Sequence, residues 1–408
     1  MKILMVHPHD LFSHEEPWTT RIKSIAAELR RRGHEIKMVY FPLNFRNFQR
    51  RFHIKGIEFI PLSRKVGLRS FLSNIRFLCR ESRWADIIHF QKCFYHAAMP
   101  ALIAAYFNNK PIHYDWDDWE VKIFHYAARQ PRLVSMFLSA LERFIPCLCD
   151  SVSVSSTRLE EECLRCGVHP AHMVRAPVGA DLEQFHPAIS GLRIRELYNI
   201  DGTVVSYMGQ LHGGQYAEQF IRAAKIILNQ KPDTVFMLVG GGYRLEELKQ
   251  MAVDLDCSQR FIFTGALPHQ DIPLYLAATD IAVACFQDND ITRCKSPLKI
   301  AEYLSSGRAI VASGVGEVRH MLGGAGVLTT AGDPLDLAAG ILKLLDDEPL
   351  RKRLSSEARK RAEDSYNWAN TTSGLLNAYI LDVAHRNARQ RRKRNESSVP
   401  VGLEKSSV

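Results

Sequence analysis

Two α/β domains, each built on a doubly wound parallel sheet, are the fold class this sequence predicts. Three observations lead there. The chain has 408 residues, too many for one ordinary core. Short apolar runs alternate with amphipathic helical stretches. That alternation ends near residue 180 and restarts at Val204.

The first series opens with strand Lys2–Val6 and an amphipathic helix over Arg21–Arg32 that Gly33 closes. Strands follow at Glu35–Tyr40, Ile57–Pro61, Asp86–Phe90, Pro111–Tyr114, Ser151–Val154 and Met173–Ala176. Helices fill the gaps: a basic one over Ser70–Arg80, others near 95–107 and 132–146, and one capped by Ser156. The second series places strands at Val204–Met208, Val235–Val239, Arg260–Phe263, Ile281–Ala284, Ala309–Ala312 and Gly326–Leu328. Its helices lie near 215–229, 243–254, 271–278, 297–306 and 333–346. A last helical stretch, about 349–383, is long enough to cross back to the first domain. The expected boundaries are 1–180, a linker at 181–200, a second domain at 201–365 and a returning helix at 366–385. Residues 386–408, with Arg389–Arg394 and no apolar periodicity, read as a disordered basic tail. Ligands of such sheets bind outside the carboxyl ends of the strands, so the site belongs in the cleft between the domains.

Hydrophobic residues make up 46%, but no run approaches the ~20 apolar residues of a membrane span. MKILMVHPH lacks the apolar stretch of a signal peptide, so a cytoplasmic protein is expected. The nine cysteines are scattered and odd in number, which fits reduced thiols. Cys163 and Cys166 have a redox or half-zinc spacing, yet no second pair accompanies them. The net charge of +9 is concentrated in Arg30–Arg32, Arg50–Arg51 and Lys65–Arg83. Such a surface is either simply solvated or suited to an acidic acceptor or the inner face of an anionic membrane. No motif or aromatic platform interleaves the charge, so nucleic acid is not an expected partner.

Several segments can carry chemistry. Gly240-Gly241-Gly242 and Gly209-Gln210-Leu-His-Gly213-Gly214 each follow a strand directly. Glycines there let backbone N–H groups approach a diphosphate, although a plain tight turn uses them too. Neither is GxGxxG, which argues against an oxidoreductase, and neither is a P-loop. In SPLKIAEYLSSGRAIVAS, residues 296–313, Ser296 is placed to cap a helix and Pro297 and Leu298 to open it. Lys299 and Glu302 follow one turn apart, with Arg293 and Lys295 just ahead. Glu302 can accept both hydroxyls of a ribose, and Lys299 can neutralise a diphosphate leaving group. A surface i,i+3 ion pair is the plainer alternative. In His113-Tyr-Asp115-Trp-Asp117-Asp118-Trp-Glu120, dense like charge at a strand end must be solvated, paired or used. Asp115 and Asp117 share a face of the extended strand, where they can hold a divalent metal or contact a hydroxyl acceptor. His9 and Trp18 lie after the first strand, where an acceptor loop would sit, and His89 and Gln91 end another strand.

Taken together these segments resemble the retaining glycosyltransferases of family 4, which share the two-domain GT-B fold of facing Rossmann-like domains. The likeness covers about residues 1–380. It rests on Val205-Ser-Tyr-Met-Gly209, Phe236-Met-Leu-Val-Gly240-Gly-Gly, Ile262-Phe-Thr-Gly265, Ala278-Thr-Asp280-Ile-Ala-Val-Ala284, Ser296-Pro-Leu-Lys-Ile-Ala-Glu302-Tyr-Leu-Ser-Ser-Gly307 and the hinge from Pro177 to Pro187. The resemblance implies that Glu302, the second Glu of an E-x7-E motif, binds ribose. Cys294 stands where the first Glu would be, and Gln210 and Gln215 lie where the family carries a basic phosphate-binding pair. It assigns compensating charge to Arg293 and Lys299, and Asp117 corresponds to a histidine of the family's catalytic region. Gly209, Gln210, Gly213, Gly240, Gly241, Ser296, Pro297 and Leu298 complete the implied donor site, with His9, Trp18 and Asp115 on the acceptor side. The reaction implied is metal-independent sugar transfer from a nucleotide-diphosphate sugar to a hydroxyl of a glycolipid or growing polysaccharide. No cofactor is expected. A nucleotide-sugar-binding protein without transfer, and a sugar-nucleotide epimerase, are the alternatives.

Overall fold

The computed structural model describes residues 1–13, 16, 18–45, 50–127, 132–212 and 216–397. The first lobe carries β1 (Lys2–Val6), β2 (Glu35–Tyr40), β3 (Phe52–Ile54), β4 (Ile57–Pro61), β5 (Ile87–Gln91), β6 (Ile112–Trp116), β7 (Ser151–Val154) and β8 (Met173–Arg175). They form one sheet in the order β3-β4-β2-β1-β5-β6-β7-β8, parallel except for β3. Sequence reading missed β3, a three-residue strand in a basic stretch. Stacking of Phe52 on Phe59 of β4, at 5.5 Å, holds it there.

The second sheet contains β9 (Val204–Met208), β10 (Val235–Val239), β11 (Phe261–Gly265), β12 (Ile281–Ala284), β13 (Ala309–Ser313) and β14 (Val327–Thr329). Its order is β11-β10-β9-β12-β13-β14, all parallel. β9, β12 and β13 are buried throughout and β1 is buried after Lys2, as expected of parallel strands covered by helices on both faces. Strand order reverses between β1 and β5 and between β9 and β12. Those two switch points fix where a ligand crevice opens.

The expected linker is mostly part of the second lobe. It contains a helix, Leu192–Leu197, and a Cβ on Gly191 would fall 2.4 Å from the Ala278 nitrogen. The true crossing is shorter. Gly179 packs on the backbone of Asn367, where an added Cβ would lie 2.2 Å from the carbonyl carbon. Ala180 N–H donates to Tyr366 O at 3.0 Å, so the outgoing and returning strands of chain touch at one place. The returning stretch is two helices, Glu348–Asp364 and Trp368–Ser397. The second runs twelve residues into the tail expected to be disordered. Arginine, glutamine and alanine are good helix formers, no Gly or Pro interrupts them before Pro400, and Arg386 anchors the helix by pairing with Asp150 of the first lobe. Residues 398–408 lie outside the described part.

Candidate active site in the crevice between the lobes

Glu302 lies on the helix Leu298–Ser305, whose other face buries Ile300, Ala301, Tyr303 and Leu304. The carboxylate is 7% exposed and accepts a hydrogen bond from His269 Nε2 at 2.6 Å. That bond raises the His269 pKa against the opposing effect of burial. Lys23, on the first-lobe helix Thr20–Arg31, is close enough for its charge to act on His269. Glu302 therefore faces the crevice and not the outer surface. The one-turn pairing with Lys299 is absent from its contacts. Lys299 instead sets its ammonium over the Tyr207 ring, 4.3 Å from the centroid, and near Phe286 at 5.7 Å. Burial lowers its pKa to about 8.

The glycine turns brace one another directly above that ammonium. Gly209 N–H donates to Val239 O at 2.9 Å and Leu211 N–H to Gly241 O at 2.9 Å. A Cβ on Gly240 would fall 1.9 Å from Gly209 O, and one on Gly209 would meet Lys299 Nζ at 2.6 Å. Gly209 and Gly240 have positive φ, 156° and 144°. These positions demand glycine for close backbone approach, whatever ligand they face. Gln210 is exposed on the same turn, and Gly213 lies outside the described residues.

Three expected donor residues are used otherwise. Ser296 does not cap the helix, which starts after Pro297; its Oγ accepts the Val178 N–H at 3.2 Å and so ties the site to the hinge. Leu298 packs on the core. Arg293 makes a bidentate pair with Asp288, at 2.6 and 3.0 Å. It borders a cavity of about 360 Å³ with Arg158, Arg319 and His320, which Lys299 does not line. Cys294 is fully buried, and its carbonyl accepts from Ser156 Oγ of the first lobe at 2.6 Å.

Across the crevice, Asp117 follows β6. Its Oδ2 accepts from Gln91 Nε2 at 2.7 Å, and Lys92 Nζ lies 3.4 Å from Oδ1. Burial raises the Asp117 pKa, Asp118, Asp115 and Glu120 push it the same way, and Lys92 opposes them. Asp115 is a different case. It is 0% exposed, and Arg21 grips both oxygens at 2.7 and 2.8 Å while Ser153 Oγ donates to Oδ1. Arg21 holds that carboxylate low despite burial. Asp115 is thus a core ion pair with no surface for an acceptor or metal, and this corrects its expected place on the acceptor side. His9 donates to Glu16 at 3.1 Å and meets Trp18 and Phe94 edge to face. Burial would raise Glu16, but His9 and Arg64 hold it at about 2. Trp18 remains 46% exposed at this mouth. His89 is a core residue bonded to Tyr379 of the returning helix.

Arg21, Lys92 and His269 escaped sequence reading. Only Lys92 left a signal, a cation directly after the strand Ile87-Ile-His-Phe-Gln91.

Comparison with known proteins agrees with this architecture. Residues 202–347 match the family described as Glycosyl transferases group 1, and residues 19–184 match Glycosyltransferase Family 4. A GDP-mannose-dependent alpha-(1-6)-phosphatidylinositol monomannoside mannosyltransferase of Mycolicibacterium smegmatis is 33% identical over 28% of this chain and 31% of its own length. A UDP-Gal:alpha-D-GlcNAc-diphosphoundecaprenol alpha-1,3-galactosyltransferase of Escherichia coli is 26% identical over 54% and 57%. The chain spans between 31% and 60% of the length of the curated relatives it matches. Among solved structures, Anabaena HepE in complex with UDP and glucose superposes with a TM-score of 0.71 at 18% identity, covering 92% of this chain and 98% of that one. Sucrose-phosphate synthase from Thermosynechococcus elongatus gives 0.70 at 17%, covering 94% and 100%. Two linked lobes with facing switch points, matched in turn by both family descriptions, lead to one conclusion: the chain belongs to glycosyltransferase family 4 and has the GT-B fold.

Proposed function

We propose that this protein transfers a sugar from a nucleotide-diphosphate sugar to a hydroxyl acceptor, with retention of configuration and without a metal. The observation that carries this reading is Glu302, a carboxylate sheltered in the second lobe yet turned toward the first. One Glu302 oxygen bonds His269; the other is left to take ribose hydroxyls. Lys299, beneath Gly209, supplies positive charge for the diphosphate as it leaves. Asp117 meets a hydroxyl of the transferred sugar or the acceptor from the opposite wall. Closure of the lobes keeps water from the donor. HepE is titled as a complex with UDP and glucose, which makes UDP and UDP-sugars the first probes.

A thermal-shift screen against nucleoside diphosphates and their sugars tests the donor site, since a ligand stabilises by RT ln(1 + [L]/Kd). One nucleotide is expected to raise Tm in the wild type, and Glu302→Ala to weaken its binding at least ~10-fold. Equal shifts in both proteins refute the ribose assignment. Donor turnover unaffected by chelator is expected, and its abolition refutes the metal-free mechanism.

For the acceptor we propose a lipid-linked sugar reached from an anionic membrane surface. Among the described residues no helix is long and apolar enough to cross a membrane. The helix Arg132–Phe144 nevertheless exposes Leu133, Met136, Phe137 and Phe144, and the helix Leu68–Glu81 exposes Leu68 and Leu72 beside Arg69 and Arg76. Apolar side chains with arginines suit the boundary of an anionic bilayer. Co-flotation with phosphatidylglycerol vesicles, lost in Phe137→Glu, is expected; equal flotation with neutral vesicles refutes the electrostatic part.

A further inference from the structure

Lys92 stands where a neutral residue would cost less. It follows β5 with φ +67°, a left-handed backbone that side-chain-bearing residues avoid and that gathers at functional sites. Its side chain is 2% exposed, and burying an ammonium is expensive unless it is paired. Three carboxylates meet it: Glu120 in a tight ion pair, Asp117 Oδ1 at 3.4 Å and Asp118 Oδ2 at 3.8 Å. Its neighbour Gln91 donates to the other Asp117 oxygen at 2.7 Å. Oδ1 of Asp117 has no hydrogen bond among the described residues, and the ammonium is its ion-pair partner. Two consecutive residues at the end of β5 thus address the two oxygens of one carboxylate.

We propose that Lys92 is a positioning residue for sugar transfer: it fixes Asp117 and favours its charged form, so that Asp117 accepts a hydrogen bond from a hydroxyl in the crevice. The inference rests on the reading of Asp117 as a hydroxyl contact.

The charges around Asp117 make the ammonium necessary. From β6 come Asp115 and, paired with it, Arg21 of the helix Thr20–Arg31. The loop after β6 adds Asp118 and Glu120. Glu142 of the helix Arg132–Phe144 accepts the N–H groups of Glu120 and Val121, and neutral, buried His7 closes the end of β1. Arg21 bonds Asp115 and acts on Asp117 and Asp118 only through its charge, which leaves Lys92 as the cation in direct contact with Asp117, Asp118 and Glu120. Even beside it, burial and like charge raise Asp117 to about 7, and without it they favour the neutral carboxyl further, which donates where the charged form accepts.

The test is a pH titration of aspartate carboxyl groups by infrared spectroscopy on protein labelled with ¹³C-aspartate, the Asp117 band being the one that Asp117→Asn removes. In Lys92→Met that band is expected to titrate at least about one pH unit higher, a ~10-fold change in proton affinity. The acid limb of kcat/KM, measured on the nucleotide sugar that stabilises the wild type, should move with it. Lys92→Arg restores both. Lys92→Gly relieves the left-handed backbone yet removes the charge, so it too is expected to shift the band; a wild-type titration in this variant overturns the proposal. Should Lys92→Met fail to fold, Lys92→Gln carries the same test. An unmoved band in the uncharged variants, with Asp117→Asn inactive, sinks only the role of Lys92. Full turnover in Asp117→Asn sinks the reading of Asp117 beneath it.

Discussion

The two lobes share a topology but equip their strand ends differently. In the first lobe the ends of β5 and β6 hold buried, interlocked charges: Arg21 with Asp115, and Lys92 with Asp117, Asp118 and Glu120. In the second, glycine backbones at the ends of β9 and β10 touch directly, and Lys299 and Glu302 supply charge beside them. The contrast teaches that a GT-B crevice can be built from two kinds of surface. One is stiffened by ion pairs that lose strongly if a partner goes. The other leaves room for a ligand's own phosphates and hydroxyls.

The largest effect expected is in the first lobe. Arg21→Met strands Asp115 as a buried carboxylate and should cost about 3–5 kcal/mol in urea unfolding, part of it recovered by adding Asp115→Asn. An unchanged midpoint would erase the contrast between the lobes. Next comes the second lobe. Lys299→Met should leave the urea midpoint near that of the wild type and lower kcat about 100-fold. Because burial sets Lys299 near a pKa of about 8, wild-type affinity for a nucleoside diphosphate should weaken as pH rises past 8, and calorimetry of the variant should show no such dependence. A variant as active as the wild type removes Lys299 from the site.

The smallest effect concerns Glu142, which burial and Glu120 raise to about 8. A carboxyl with a raised folded pKa stabilises most below its unfolded value, and that contribution is lost as pH rises toward 8. Glu142→Gln should therefore match the wild type in Tm near pH 5 and exceed it by about a degree or more at pH 8.5. A constant difference across that range would mean that Glu142 carries its charge in the fold.

Legibility in the sequence followed the range of the interaction. Parallel strands announced themselves as short apolar runs, and Glu302 with Lys299 stood out because helical spacing is local. What pairs with each was not local. Arg21 and Asp115 are 94 positions apart, Lys92 and Glu120 28, His269 and Glu302 33. Density of like charge correctly marked the segment from Asp115 to Glu120 as needing partners. It could not separate Asp115, sealed in the core, from Asp117 at the crevice, because alternation along a strand fixes the face of a side chain but not its depth. Composition misled in the tail, where a run of arginines read as solvated coil continues a helix anchored by Arg386.

The meeting of Gly179 and Asn367 bears on how such a molecule works. The two passes of chain are stacked without a side chain between them, and with the contacts of Ser156 with Cys294 and of Thr157 and Arg175 with Glu317 they join the halves along one side, something close to a hinge pin. A pin of that kind permits swinging and resists sliding. Residues on opposite walls then return to the same register after every opening, which suits the proposed transfer between two substrates held by different halves.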